Sequence, residues 1–325
     1  MRLTLANTSW KFSDQREWVD HFGKWPPVIV TCAITGAMQG KEANPNLPEN
    51  PQEQADSAYG AYKAGAAQIH IHARDPKTNY VKPAMGPEDF LISNIAVRER
   101  CPDVIINDTC ATLFFQKVTY QYMLDYYKMI KAETSTLDVG AMFMRRRQKA
   151  RAPGEKDTVV ETSNALGFEL VENIARAART YGAKSEFELF SGQSWWFVDN
   201  VINKGIMDPP PYWTQLVFGQ EGACSPPTPM AAMQIIGNLP VKSLFSTIGI
   251  GPLQIPINIV GLILGGHIRV GMEDNVYYRR GELAKSNQQF VERAVRLVHE
   301  LHREVATPAQ AREMLGLSQT PQKYP

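Results

Sequence analysis

Residues 28–73 read VIVTCAITGAMQGKEANPNLPENPQEQADSAYGAYKAGAAQIHIHA. The stretch opens on a β-branched run, 28–35, and closes on QIHIHA, 68–73; each is short, apolar-rich and bounded by turn residues, as a strand is. Between them Asn50 is a good helix N-cap, Pro51 suits the first helical position, and Glu53 can reach back to close a capping box. Gly65 then stops that helix in the left-handed conformation that glycine adopts cheaply. The result is a strand–helix–strand unit. A doubly wound sheet needs a Gly-rich turn after the first strand, and TGAMQGKEANPNLPENP contains no Gly-x-Gly-x-x-Gly.

The same beat continues outward. Further strand-like runs cover 104–110, 134–140, 184–190, 212–219, 241–249 and 267–273, with helical patterns between them. Thr228 before Pro229 repeats the helix start, and Gly237 repeats the stop. Eight strands alternating with helices predict an α/β fold, a (β/α)8 TIM barrel, rather than an open sheet. The barrel is expected as a single domain over 28–325, ending in a short capped helix at ATPAQAREMLGL. A helical extension, 1–27, precedes it. There Trp18, Phe22 and Trp25 share one helix face, and that stripe is expected to plug the barrel floor or meet another subunit.

Composition narrows the function classes. Among 325 residues, 34 Lys and Arg nearly balance 33 Asp and Glu, so the strongly basic face of a nucleic-acid binder is not expected. With 44% apolar and 21% charged residues, a sizeable core can form and bulk disorder is excluded. No run approaches the ~18 apolar residues of a membrane span; Ile255 to Leu264 is broken by Pro256, Asn258 and Gly261. The amino terminus turns polar before any signal-like apolar core develops, which points to a cytoplasmic protein. Cysteines stand at 32, 101, 110 and 224 without a Cys-x-x-Cys pair, so neither a disulfide frame nor a thiolate zinc site is expected.

Chemistry concentrates on two strands. Strand side chains alternate, so His70, His72 and Arg74 share one face while Ile69 and Ile71 take the other. The isoleucines belong under the helices, which turns the histidines into the barrel near its C-terminal mouth, where barrel enzymes keep their chemistry. Two neutral imidazoles at this spacing can bind one divalent ion. On the last strand, HIRVGMEDN, the same parity aligns Arg269, Gly271 and Glu273, with Asp274 at the loop entrance. Ligation by His70, His72 and Glu273 would leave a position open for substrate, as in a catalytic zinc site. Arg269 can pair with Asp274 or Glu188. The plainer alternative is buried histidines and a buried ion pair.

Other inward groups fit a polar interior. SEFELF turns Glu186 and Glu188 inward, and two buried carboxylates need a cation, a shared proton or water. Thr109 on the third strand, with Thr136 and Asp138 on the fourth, resemble substrate-orienting groups. Gly249 and Gly251 follow the seventh strand, where barrels often bind anions. The basic run from Arg145 to Arg151 reads as a solvated face or a phosphate contact. Trp195, Trp196 and Phe197 read as rim packing or as a cage for a quaternary ammonium.

The segments TCAITGA, PNLPENPQEQA, AGAAQIHIHARDP, GGHIRVGMEDN and ATPAQAREML together resemble the β-keto acid cleavage enzymes, over about residues 28–317. The specific feature is the combination of His-x-His-x-Arg-Asp on the second strand with Arg-Val-Gly-x-Glu-Asp-Asn on the eighth. The resemblance implies a TIM barrel with one Zn²⁺ per subunit, acetyl-CoA as co-substrate and a homotetramer. It implies exchange of a β-keto acid and acetyl-CoA for acetoacetate and a new acyl-CoA. It implies that His70, His72 and Glu273 ligate zinc and that Arg269 and Asp274 polarise the water that takes a proton from acetyl-CoA, with Glu188 beside them. Thr109, Thr112, Thr136, Met38 and Asp138 become the substrate-binding set. Three departures stand out. Met38 replaces a glutamate that meets a substrate ammonium in one branch of the family, Asp138 replaces an asparagine, and SPPTPM after the sixth strand replaces a Gly-rich loop. On residues alone, a metal-dependent hydrolase of the amidohydrolase type and a metal-binding barrel without activity remain open; the other histidines are 21, 267, 299 and 302.

Overall fold

The structure is a computed structural model that describes residues 15–110, 119–150 and 154–325, apart from the side chains of Trp18, His21, Phe22, Arg146, Asn164 and Ala165. Its strands are β1 (Val30–Ala33), β2 (Gln68–Ile71), β3 (Ile105–Asp108), β4 (Thr134–Asp138), β5 (Gly140–Gln148), β6 (Thr158–Leu166), β7 (Lys184–Leu189), β8 (Tyr212–Phe218), β9 (Ser243–Gly249), β10 (His267–Val270), β11 (Tyr277–Arg279) and β12 (Glu282–Leu283). The helices are α1 (Gln15–Gly23), α2 (Pro51–Ala64), α3 (Pro87–Arg100), α4 (Tyr120–Ile130), α5 (Phe168–Thr180), α6 (Trp195–Asn203), α7 (Pro229–Gly237), α8 (Gln254–Ile263), α9 (Asn287–Glu300) and α10 (Pro308–Leu315). β1, β2, β3, β4, β7, β8, β9 and β10 pair in that order, all parallel, and β10 closes on β1 with Thr31 opposite Arg269. This is the expected (β/α)8 barrel. Among the described residues no helix is long and apolar enough to cross a membrane.

Local signals set most element ends. Asn50 Oδ1 accepts from the Glu53 N–H at 2.9 Å and caps α2, and Gly65 ends it at φ 116°. The Glu53 carboxylate takes the Glu49 N–H at 2.9 Å, one residue earlier than a strict capping box would. At α10 the box is complete between Thr307 and Gln310, and Gly316 is left-handed. Thr228 caps α7, but Gly237 is its last helical residue, and the following Asn238 has φ −103°, so the glycine stop expected there is not made.

The barrel wall separates two environments. Outward residues such as Ile69, Ile71, Ile106 and Val270 are buried against the helices, each worth about 1.5–3 kcal/mol on burial. Inside, Ile29, Ile105, Trp213 and Leu244 at the strand starts pack with Ala306, Ala311 and Leu315. The floor is therefore closed from α10. Of the amino-terminal stripe, Trp18 and Phe22 fall outside the described side chains, and the Trp25 ring lies 5.1 Å from the Arg303 guanidinium.

One excursion departs from the expected pattern. The run 134–140 is not one strand: β4 ends at Asp138, and Gly140, at φ 98°, turns the chain into an antiparallel hairpin with Gly140 opposite Leu166 and Gln148 opposite Thr158. The basic run lies on this hairpin. Arg145 is exposed and pairs with Glu161 at 2.7 Å, as a solvated charge does; Arg151 falls outside the described residues.

Candidate active site

Parallel pairing of β2 on β3 puts His70 level with Asn107. His70 Nδ1 meets Asn107 Oδ1, which leaves Nε2 facing the barrel mouth. His72 follows just past the strand end, its ring centroid 5.1 Å from that of His70 in an edge-to-face arrangement. His70 Nε2 lies 3.4 Å from Glu273 Oε2, and His72 Nε2 lies 3.4 Å from Glu273 Oε1. One donor atom from each of the three side chains falls within 4.8 Å of the others, the spacing of a metal-ligand set. The expected trio is therefore brought together.

The eighth strand reaches this point by a route that alternation alone does not describe. β10 ends at Val270, and Gly271 adopts φ 136°, where a Cβ would stand 2.1 Å from the Ala33 carbonyl oxygen. The chain then turns, with Gln254 Nε2 donating to the Gly271 carbonyl at 3.2 Å and Asn287 Oδ1 accepting the Met272 N–H at 2.8 Å. Glu273 and Asp274, sequence neighbours, thus both face Arg269. Gly36 makes room: a Cβ there would lie 2.8 Å from Glu273 Cγ.

Arg269 is 3% exposed and gathers three carboxylates. Its Nε and Nη2 donate to Asp274 Oδ2 and Oδ1 at 3.0 and 2.9 Å, and Nη1 donates to Glu188 Oε1 at 3.0 Å. Nη2 also donates to Glu273 Oε1. Burial opposes ionisation of Glu273, yet Arg269, His70 and His72 outweigh it and hold the carboxyl well below its usual range. Burial pushes the Asp274 carboxyl up to about 6 against the pull of Arg269, with the Glu273 charge adding to the rise. Asp138 stands opposite Glu188 in register. Burial and the Glu188 charge raise it well above the carboxylate range, so it sits in the wall as a neutral acid.

The remaining expected residues scatter. Thr109 is buried at the end of β3, its N–H on the Ile71 carbonyl at 3.2 Å. Thr136 Oγ1 accepts the Cys110 N–H at 3.2 Å. Thr112 lies outside the described residues. Met38, half-buried, lines a cleft of about 880 Å³ with Val81, Pro83, Lys149 and Lys156. Arg74 turns away from the histidines and holds the Gly36 carbonyl at 2.6 Å and the Val81 carbonyl at 3.2 Å, clamping the loops around that cleft. At the turn of Gly249 and Gly251, the Gly251 N–H donates to the Asp274 carbonyl at 2.8 Å and so is not available to an anion. Trp195, Trp196 and Phe197 form no cage: Trp196 is 69% exposed and Phe197 stacks on Phe168 at 4.3 Å.

Sequence reasoning passed over Asn107 and the role of Glu186. The alternation that turns Thr109 inward also turns Asn107 inward, so the signal was present. Glu186 is fully buried and accepts from Gln68 Nε2 at 2.7 Å, Trp213 Nε1 at 2.5 Å, Gln215 Nε2 at 2.6 Å and Asn107 Nδ2 at 3.1 Å.

The donor set fits a divalent ion. Two imidazoles and a carboxylate are a usual zinc set, and here each imidazole Nε2 lies 3.4 Å from one oxygen of the Glu273 carboxylate. Glu273 Oε2 is moreover buried without a hydrogen-bond partner, a costly state unless a cation meets it.

Comparison with known proteins agrees in fold and sequence. A family model described as beta-keto acid cleavage enzyme matches residues 27–317. The 3-keto-5-aminohexanoate cleavage enzyme of Acetoanaerobium sticklandii is 35% identical over 291 residues, 90% of this chain and 98% of that protein. The 3,5-dioxohexanoate:acetyl-CoA acetone transferase of Paraburkholderia graminis is 31% identical over 303 residues, 89% of this chain and 96% of that protein. Among solved structures, the ternary complex of ObcA with C4-CoA adduct and oxalate superposes with a TM-score of 0.65 at 18% identity, covering 84% of this chain and 68% of that one.

Proposed function

The chain belongs to the beta-keto acid cleavage enzyme family, and from that membership we propose that it is a zinc-dependent enzyme that exchanges a β-keto acid and acetyl-CoA for acetoacetate and a new acyl-CoA. The observation that carries the reading is the convergence of His70, His72 and Glu273 beside the Arg269–Asp274 pair at the barrel mouth. A zinc ion held by the three would act as a Lewis acid on the β-keto acid and draw charge from its C3 carbonyl.

The protein's own groups supply the rest. The β-keto acid must lose a proton from C2, beside the C3 carbonyl, so a base has to be placed and kept ionised. Asp274 is gripped by two N–H donors of Arg269, which fixes the carboxylate toward the mouth and leaves it able to polarise a water that takes the proton. The C2 carbanion adds to the thioester carbonyl of acetyl-CoA and expels the CoA thiolate, the thiolate adds to C3, and the C2–C3 bond breaks. C3 leaves in the new acyl-CoA, while C1 and C2, now joined to the acetyl group, leave as acetoacetate once C2 takes back a proton. Atoms balance with no oxidant or reductant. Glu188, held by Arg269, and Asp138, neutral beside it, offer an acceptor and a donor on the opposite wall. Thr109, Thr112 and Thr136 orient the substrate in this reading. Met38 cannot pair with an ammonium, so the preferred acid carries no cationic amine near that loop.

The hydrolase reading is disfavoured by His267. Its Nδ1 accepts the Ile29 N–H at 2.9 Å at the barrel floor, and burial, with Arg303 adding to it, lowers its pKa to about 3, so it serves packing and not a second metal. By resemblance the reading extends to a cytoplasmic homotetramer; Met230, Met233, Ile259 and Ile263, exposed on α7 and α8, offer an apolar face for assembly.

The test is a screen of β-keto acids with acetyl-CoA and zinc-loaded protein, with the thioester identified by mass spectrometry. Acetoacetate and a matching acyl-CoA are expected from at least one acid, and chelation abolishes both. Absence of any new thioester across a broad panel would overturn the reading, and ester or amide turnover without CoA would replace it with a hydrolase.

A further inference from the structure

We propose that the cleft beside Met38 is an anion site, which holds the charged far end of a substrate whose reacting carbons lie at the metal-ligand set. The inference rests on the reading of that set as catalytic and adds where the remainder of the substrate lies. At about 880 Å³ the cleft falls within the ~300–1,000 Å³ of ligand sites. Its inner end adjoins the ligands. Ala37 and Met38 line it, and they follow Gly36, where an added Cβ would stand 2.8 Å from Glu273 Cγ. Arg74, two residues past His72, fixes the loops of this wall by holding the Gly36 and Val81 carbonyls at 2.6 and 3.2 Å.

The β5–β6 hairpin supplies the facing wall because it crosses the mouth. Its shank rests on the loop after β8. There the Arg145 N–H donates to the Glu221 carbonyl at 3.2 Å, and Gly222, at φ 87°, runs so close that a Cβ would meet the Phe143 carbonyl oxygen at 2.3 Å. β8 stands four places from β2 in the eight-strand ring, directly across it. Yet Lys149 and Lys156, at the far end of the hairpin, line the same cleft as Val81, Lys82 and Pro83 from the loop after β2. Arms of nine residues, about 30 Å long at 3.3–3.4 Å per residue, span that distance. The crossing sets Lys149 and Lys156 against Lys82. All three residues are exposed, and among the described residues their ammonium groups make no ion pair or hydrogen bond. Lys41 and Lys204, by contrast, each hold a carboxylate at 2.6 Å. Glu155 is the one acidic residue in the described lining. Cations gathered in a cleft focus the field there and draw in an anion. An ammonium is a compact point charge that serves phosphate and carboxylate alike. Met38, Val81, Pro83 and Met85 add apolar lining. The ligand is therefore elongated, with an uncharged middle and an oxyanion at its end. The phosphates of acetyl-CoA and a second carboxylate on the β-keto acid share that chemistry.

The triple variant Lys82→Ala, Lys149→Ala, Lys156→Ala tests this, since all three side chains lie outside the core. Isothermal titration calorimetry with coenzyme A and, separately, with the dicarboxylate adipate reads binding without turnover. At least one probe is expected to bind the variant more weakly, by about 1.5–5-fold for each lysine and roughly 5–100-fold in all. The wild-type affinity for that probe should fall as salt is raised, and the variant's should fall less. Weakening of coenzyme A identifies the anion as its phosphates, and weakening of adipate identifies it as a second carboxylate on the keto acid. Lys63→Ala, which removes an exposed charge from the last turn of α2, should change neither. Equal affinity of wild type and triple variant for both probes would overturn the proposal. So would a wild type that binds neither, or a loss that Lys63→Ala shares. If the triple variant binds weakly as expected and the wild type forms no new thioester from any acid, the anion site stands and the reaction reading falls. If both proteins form the thioester with the same KM for each substrate, the reaction reading stands and the anion site falls.

Discussion

Arg269→Met should cost the fold more than any other single change at the mouth, and by an amount that depends on pH. The guanidinium is buried and holds Glu188, Glu273 and Asp274 at once. At about 4 Å between charge centres and an effective dielectric constant near 20, each pair gains roughly 4 kcal/mol before desolvation is subtracted. Removing one partner of a buried ion pair costs about 3–5 kcal/mol in practice. For a chain of this size that is a fall in Tm of roughly 6–10 °C, at about 2 °C per kcal/mol. The methionine leaves three carboxylates without their cation, and they respond by taking up protons. Asp274, already near 6 in the wild type, rises further. A carboxyl whose folded pKa lies above its unfolded value stabilises the fold below the unfolded value and loses that contribution as pH climbs through the folded value. The penalty is therefore small at pH 5 and full at pH 8. Differential scanning calorimetry of metal-free wild type and variant across pH 5–8 measures it. Zinc should narrow the gap, since a divalent ion restores positive charge beside Glu273. A loss below about 1 kcal/mol at pH 8, or one independent of pH, would refute the electrostatic account of this cluster.

Four further outcomes follow from single side chains. Asp274→Asn should lower kcat about 10²–10⁴-fold while zinc content, read by atomic absorption, stays at wild-type level; an active variant removes Asp274 from the proton step. Gly36→Ala should weaken zinc binding, because its Cβ would stand 2.8 Å from Glu273 Cγ and displace that ligand; unchanged affinity in a chelator titration would show that the loop yields instead. Met38→Glu should raise kcat/KM for a β-keto acid bearing an ammonium relative to its neutral analogue, and an unchanged ratio would remove residue 38 from substrate choice. Asp108 is fully buried and burial pushes its carboxyl up to about 7, against the Asn94 amide at 2.7 Å. The folded state then holds a proton that the unfolded chain gives up near pH 4, so this group's contribution is present below that pH and lost as pH rises toward 7 and beyond. Asp108→Asn should flatten the fall in Tm between pH 5 and pH 8, and parallel melting profiles would contradict it.

Alternation, capping and turn residues act over two to five positions, so a linear reading follows them well. The eight barrel strands, the N-caps at Asn50, Thr228 and Thr307, and the shared face of His70 and His72 were legible on that ground alone. Glu273 was found by parity, but parity is not how the molecule places it: Gly271 breaks the strand, and contacts from Gln254 and Asn287, on two different helices, shape the turn. The β5–β6 hairpin was hidden because its two arms pair with each other and with no barrel strand. The floor is closed by α10, at the far end of the chain from β1, and nothing local announces a contact of that separation.

Residue order by itself determined which side chains face inward, because a strand has only two faces. Tertiary structure alone decided their protonation and polarity. Whether Asp138 is an acid depends on burial beside Glu188, about fifty residues on, and how far Glu273 is held ionised depends on His70 and His72, about two hundred residues back, as well as on Arg269.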